Sequence, residues 1–426
     1  MKDEAEKLRI ALDLYRQDDL ARAQMLLEAI DLDQLESGLH VEANYLWGLV
    51  LARRGDPLEA AHRFQTCIRL DQRFFPALDA WGNVLANLGD ARGAIEKYKR
   101  ALGVAQPGQS AHILFNYGQV LLKNGYVLRA LRKFRESFKR SESSDAAYMT
   151  GTCFLQLKRG LGARKWLMRA VALDPRSARN LVGLGNALAL QGHPEQAIAR
   201  YQNALALDPA CAEAHYNWAR VLAVQGEYAK AARRCKQGLR VEPDGFEMLA
   251  QQAFCLRQMG AYDAALQTAR RMRQVVQRAG KHERKAEFMD VLTANEAACL
   301  RAIGRTQQAR NRLLEQLRSA LDPSPHSLAE LRYHDVRRLR GACRHELTLS
   351  VRGVARPFGA DEEAPPRSYQ RTYWVIARNA KEARRIVREL EPPDAEVRFE
   401  PDVPAGEWIE EADRGVIERT PAIPVE

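Results

Sequence analysis

Nowhere does the sequence hold the ~18 uninterrupted apolar residues that a membrane-crossing helix needs. Its start, Met1 to Lys7, mixes charges of both signs and offers no apolar core for a secretory leader. Cysteine is sparse and unpaired. The seven thiols, at 67, 153, 211, 235, 255, 299 and 343, are odd in number, and no two form a C-x-x-C. That pattern speaks against a disulfide framework and against a zinc cluster. It predicts thiols that act as small apolar side chains inside helices of a reducing compartment, with the cytoplasm as the expected location. Lysine is scarce too, at 14 of the 65 basic residues, the rest being arginine.

Catalytic signatures are missing as well. There is no G-x-S-x-G, H-E-x-x-H, G-x-x-x-x-G-K-[ST] or G-x-G-x-x-G. The histidines are scattered. His334 with Asp335, and His345 with Glu346, are adjacent in sequence, so neither pair shares a helix face. Glu362/Glu363 and Glu410/Glu411 fall in expected loops, where solvation explains paired carboxylates. No catalytic residue, metal ligand or cofactor site is expected, and the reading is of a protein that is not an enzyme.

A repeat is what the sequence does have. Glycines stand at 48, 82, 118, 151 and 185, spaced by 34, 36, 33 and 34 residues, and Ala219 and Ala253 continue the series. Twelve residues after each comes an alanine: 60, 94, 130, 163, 197, 231 and 265. Four further on lie Phe64, Tyr98, Phe134, Leu167, Tyr201, Cys235 and Ala269. Turn glycines separate the two registers at 55, 89, 125, 192, 226 and 260. Several units close on proline, as in Leu207-Asp208-Pro209. Two helices of about a dozen residues, joined by a glycine turn, account for this spacing. The side-chain-poor eighth position lets the first helix approach the second. The larger residue one turn beyond the alanine fills the wedge between units. One such hairpin cannot bury its own apolar face, so stacking must do it.

The pattern resembles that of the tetratricopeptide repeat (TPR) family, W-x2-L-G-x2-Y, then A-x3-F, A and P. The nearest match runs from Ala178 through Gly185, Gly192, Ala197, Tyr201 and Ala204 to Pro209. Units starting at 41, 75, 111, 144, 178 and 212 fit well, and weaker ones start near 4, 246 and 290, which suits capping repeats. About nine units over residues 4–322 follow. The fold expected is mostly α: a right-handed α-α superhelical TPR solenoid over 4–343, ended by a capping helix at 326–340, and then a small α+β domain over 345–426. In that last part Leu347, Leu349 and Val351 alternate with polar residues as a strand does. Strands are also expected at 369–377, around Val397 and Phe399, and at 415–417, with a helix after Asn379. No family is identified there. The stretch from Asp394 to Glu426 is acidic, with ten acids and three arginines.

The resemblance implies a concave groove lined by the first helix of each unit. Its second, fifth, ninth and twelfth positions supply Tyr45, Asn83, Phe115, Gln119, Tyr148, Asn186, Tyr216, Arg220, Phe254 and Arg257 as peptide-binding candidates, with Asp79, His112, Thr152 and Arg179 beside them. Amides can pair with the backbone of an extended peptide, and aromatic rings supply area at low entropic cost. The carboxylate clamp of some TPR co-chaperones does not carry over: Asn116 and Asn217 match it, but the accompanying bases are missing. Residues 91–170 hold sixteen bases and four acids, mostly on the second helices. Arg132, Lys133, Arg135, Lys139, Arg140 and Lys165 are the candidate anion contacts, although no aromatic-stacking motif accompanies the charge. The function expected is a non-catalytic scaffold or adaptor for a protein or peptide partner. The alternative is a nucleic-acid-associated factor using the basic faces of 91–170 and 270–285. The oligomeric state stays open.

Overall fold

The computed structural model describes residues 2–278 and 285–319, then the backbone of eight short strands and four isolated helical positions at 381, 384, 385 and 388. The chain divides into two compact units, Met1–Pro209 and Ala210–Glu426.

The first unit is six helix hairpins. They are α1 (Lys2–Arg16) with α2 (Leu20–Glu28), α3 (Ser37–Arg54) with α4 (Pro57–Leu70), and α5 (Phe75–Asn87) with α6 (Ala91–Val104). Then come α7 (Ser110–Lys123) with α8 (Val127–Arg140), α9 (Ser144–Gln156) with α10 (Gly160–Leu173), and α11 (Ala178–Leu190) with α12 (Pro194–Leu207). The local sequence explains where each helix stops and starts. Gly55, Gly89, Gly125 and Gly192 end the first helices with φ between 78° and 90°, the left-handed region that glycine enters without steric cost. Asp19, Asp56 and Asp90 follow as N-caps, each accepting a hydrogen bond from a backbone N–H in the next turn. Pro57 and Pro194 occupy first-turn positions, where no backbone N–H is needed.

Packing follows the small-to-large pattern of the repeat. A Cβ placed on Gly82 would lie 2.6 Å from the ring of Tyr98, so only glycine fits there. The alanines at 60, 94, 130, 163 and 197 are fully buried, as are Phe64, Phe134 and Leu167. Asn180, 3% exposed, fastens three helices: its amide donates to Ser144 Oγ at 2.8 Å, to the Ala170 carbonyl at 3.1 Å and to the Asp174 carbonyl at 3.3 Å. Cys67 and Cys153 lie in the same core as small apolar side chains, and burial pushes both thiols up to about 12.

The second unit opens with three more hairpins: α13 (Ala212–Val224) with α14 (Tyr228–Val241), α15 (Phe246–Gln258) with α16 (Tyr262–Arg278), and α17 (Lys285–Ala302) with α18 (Thr306–Ser319). The rings of Phe246 and Phe288 stack with centroids 4.0 Å apart. Arg273 meets Glu296 at 2.5 Å. The strands that follow pair antiparallel throughout. β1 (Arg338–Leu339) meets β6 (Ala412–Asp413). β2 (Ala342–Ala355) pairs with β3 (Arg367–Ala377) from Cys343↔Ala377 to Val351↔Tyr369. The other edge of β2 carries β4 (Glu396–Phe399) and β5 (Val403–Ile409), and the other edge of β3 carries β7 (Gly415–Arg419) and β8 (Ile423–Pro424).

Two expectations need correction here. The helix expected at 326–340 does not extend to its end, because Arg338–Leu339 is strand β1; the rest of that segment lies outside the described residues. β5 was not anticipated, since Pro404 and Gly406 break its strand pattern. Among the described residues it pairs along one side, with β2, and an edge is where a strand tolerates proline. Apart from its four isolated positions, the helix expected after Asn379 also lies outside the described residues.

Candidate functional site

In the first unit, α5 with α7 and α9 with α11 bring part of the groove set together. Asp79 on α5 is 8% exposed. Both of its carboxylate oxygens accept from the Asn116 amide on α7 at 3.3 Å, and His112 Nε2 stands 3.5 Å away. Burial pushes the Asp79 carboxyl above its ordinary value of 3.8, and the hydrogen bonds from Asn116 and Asn83 and the charge of His112 pull it back only in part. The exposed His112 ring also leans on Phe75, 6.4 Å between centroids. Next along, Gln119 is exposed, and Thr152 is half-buried, its hydroxyl donating to the Tyr148 carbonyl. Tyr148 is half-buried beneath Arg179 of α11, whose guanidinium carbon lies 4.0 Å from the ring centroid; Arg179 also reaches Asp145 at 3.6 Å. These contacts tie α5 to α7 and α9 to α11.

Other candidates face inward. Tyr45 packs edge-on against Phe74, centroids 5.3 Å apart, and burial pushes its hydroxyl up to about 12. Phe115 lies edge-on to Phe134 at 5.5 Å. Asn83 Oδ1 accepts from the Tyr98 hydroxyl, and Asn186 Oδ1 from the Tyr201 hydroxyl, both at 2.8 Å. Both asparagines therefore hold the second helix of their own hairpin. In the second unit, Arg220 lies 5.7 Å from the Tyr216 ring and donates to Asn217 Oδ1 at 3.4 Å. Arg257, 5.6 Å from the Phe254 ring, is half-buried, and its Nε has no hydrogen-bond partner among the described residues.

Five of the six anion candidates sit on α8 and one, Lys165, on α10. Arg132, Arg135, Lys139 and Arg140 are exposed and form no ion pair among the described residues, whereas Lys133 is held by Glu136 at 2.8 Å. The structure adds what the sequence reading missed. Arg132, Arg135 and Lys139 line a cleft of about 790 Å³ together with Phe138, Trp166 and Arg169. Phe138 and Trp166 lie 28 residues apart, so no local motif could announce them, yet their rings meet edge-to-face at 5.1 Å.

Among the described residues no group of three His, Cys, Asp or Glu could hold a metal ion, and no helix is long and apolar enough to cross a membrane. The pairs His334/Asp335 and His345/Glu346 and the carboxylate pairs lie outside the described side chains.

Hairpins of paired helices, closed by left-handed glycines and packed glycine-on-aromatic at a 34-residue period, define an α-helical repeat protein. Tetratricopeptide repeat models match residues 8–68, 80–136, 127–178 and 188–252, and the chain belongs to the tetratricopeptide repeat family. Repeats of this family are protein-interaction scaffolds. No curated protein matches the sequence. Among solved structures, a tetratricopeptide repeat protein from Parabacteroides merdae is similar at 15% identity over 59% of this chain and 98% of its own, with a TM-score of 0.50. PilF of Pseudomonas aeruginosa is similar at 20% identity over 51% of this chain and 98% of its own, TM-score 0.44. YrrB, described as a TPR protein with an unusual peptide-binding site, is similar at 23% identity over 44% and 97%, TM-score 0.37.

Proposed function

We propose that the chain is a non-catalytic adaptor that holds an extended peptide segment of a protein partner along the face formed by its first helices. One observation supports this reading: first helices carry polar and aromatic groups joined in pairs, Asp79 of α5 with His112 and Asn116 of α7 and Tyr148 of α9 with Arg179 of α11, while Gln119 of α7 is exposed. Such a face offers both backbone pairing and aromatic area to an extended chain. The division expected from the sequence, repeats over 4–343 and a small α+β domain over 345–426, belongs to the same proposal, and the second domain would give the adaptor a separate surface.

The test is selection of binders from a random peptide phage library on the full chain, followed by fluorescence anisotropy of the selected peptides. Gln119→Ala and Tyr148→Ala, singly and together, are expected to weaken binding at least tenfold with an unchanged circular-dichroism spectrum. Selected peptides that bind both variants as tightly as wild type would reject the assignment of the face.

A further inference from the structure

A second surface lies in the first unit, away from the face just described. It is the cleft between α8 and α10. Its floor is apolar: Phe138 and Trp166 are both half-buried, and the exposed Leu173 and Ala172 extend it. Around it stand Arg132, Arg135, Lys139 and Arg169. The cause is visible in the sequence of α8. Ala130, Leu131, Phe134 and Ser137 form its buried face, and six of its ten other positions are bases. We propose that this cleft binds an acidic peptide segment that lays an apolar side chain against Phe138 and Trp166 while its carboxylates pair with the surrounding guanidinium and ammonium groups.

Two observations favour a peptide over a nucleic-acid strand. Arg169 already covers the aromatic ledge, with its guanidinium carbon 4.8 Å from the Trp166 centroid and 6.0 Å from that of Phe138. A nucleobase would have to displace it to stack, whereas a carboxylate finds it as a planar, bidentate partner. Glu136 and Glu142 also line the cleft. They interrupt the basic track that a run of phosphates would follow, but a peptide that alternates acidic and apolar residues can place apolar groups there. For either kind of anion, three of the bases, Arg132, Arg135 and Lys139, carry no ion pair among the described residues, so a ligand need not break one.

The experiment uses the full chain and three fluorescein-labelled probes: a nine-residue peptide alternating Asp or Glu with Leu and Phe, the same peptide with Ser for every Leu and Phe, and a twenty-nucleotide oligothymidylate. Anisotropy is read at about 50 mM and 300 mM salt. The alternating peptide is expected to bind at least tenfold more tightly than its serine counterpart. Arg135→Glu with Lys139→Glu should lower its affinity at least tenfold; both side chains are exposed, so the fold should be unaffected. Trp166→Leu should cost at least threefold, and Tyr148→Ala, on the other face, should cost nothing. Equal binding of the two peptides, or binding that survives the charge reversal, would overturn the proposal. So would oligothymidylate that outcompetes the alternating peptide and ignores Trp166→Leu, an outcome that marks a polyanion surface. Loss with Tyr148→Ala alone would place the peptide on the first-helix face instead.

Discussion

Tyr201 fills the space in which Gly185 would carry a side chain: a Cβ there would lie 2.5 Å from the ring. The same offset of sixteen residues joins Gly48 to Phe64, Gly82 to Tyr98 and Gly118 to Phe134. Where the smaller partner is alanine, the larger is never aromatic: Ala11 stands opposite Leu27, Ala219 opposite Cys235 and Ala253 opposite Ala269 at the same spacing, all buried. The chain thus keeps the summed volume of each pair within what one hairpin can hold, as a close-packed core demands.

Overpacking this site is therefore costly. Gly185→Ala is expected to destabilise by about 1–3 kcal/mol, the usual range for added methyl groups in a full core. Tyr201→Leu in the same chain should recover part of that loss, because an alanine and a leucine, Ala11 and Leu27, are both buried at this offset. Urea unfolding of the two single variants and the double variant checks this. Simple additivity would mean that the two positions do not share the space.

This pairing was legible in the sequence, because its period and offset survive in nearly every unit. The second relationship between the same helices was not. Helical position alone assigns Asn83 and Asn186 to the groove, yet each accepts a hydrogen bond from the hydroxyl of the aromatic fifteen residues later. The regularity was there to be read, but nothing in a helical period says that a hydroxyl turns toward an amide. The Phe138–Trp166 ledge and the Asp79–His112 contact were beyond reach for another reason. Their members come from neighbouring hairpins, 28 and 33 residues apart, where the angle between units decides which side chains meet. β5 was missed because proline and glycine hid an edge strand behind a turn-like composition.

The Asn186–Tyr201 bond has a consequence for mutagenesis. Asn186→Ala leaves the hydroxyl of a tyrosine that is 1% exposed without its acceptor, which should cost about 1–3 kcal/mol. Tyr201→Phe should cost less, about 1 kcal/mol, and should make Asn186→Ala nearly neutral. A double-mutant cycle by chemical denaturation measures the coupling. A coupling near zero would show that the amide acts on the first-helix face and not on the tyrosine.

Asp79 predicts how stability depends on pH. Its carboxyl is held above 3.8 chiefly by burial, so the folded chain keeps a proton that the unfolded chain releases. Its contribution to stability is complete below about the ordinary carboxylate value and is lost as pH rises through the higher folded value. Asp79→Asn keeps the shape and cannot ionise. The difference in unfolding free energy, variant minus wild type, should therefore grow in favour of the variant from pH 4 to pH 8. The charge of His112 pulls the Asp79 carboxyl down, so His112→Gln should enlarge the difference. A difference that shrinks as pH rises would mean that ionised Asp79 is stabilised by Asn116 and His112 more than burial opposes it.

Lys158 occupies a place that glycine holds in four neighbouring hairpins. It ends the turn before α10 with φ at 55°, where Gly55, Gly89, Gly125 and Gly192 lie between 78° and 90°. A side chain in this region costs about 1–2 kcal/mol, and glycine returns about 0.5–1 kcal/mol of that as extra freedom of the unfolded chain. Lys158→Gly should therefore stabilise the first unit by roughly 0.5–1 kcal/mol on those two figures. The reverse exchange isolates the backbone effect, because no atom lies within 4 Å of where a Cβ on Gly192 would stand. Gly192→Lys meets no steric obstacle and should cost what Lys158→Gly gains. Paired urea titrations with unchanged slopes would read both as shifts of midpoint in opposite directions. If Lys158→Gly lowered the midpoint while Gly192→Lys also lowered it, the lysine side chain itself, and not its backbone, would be what this turn requires.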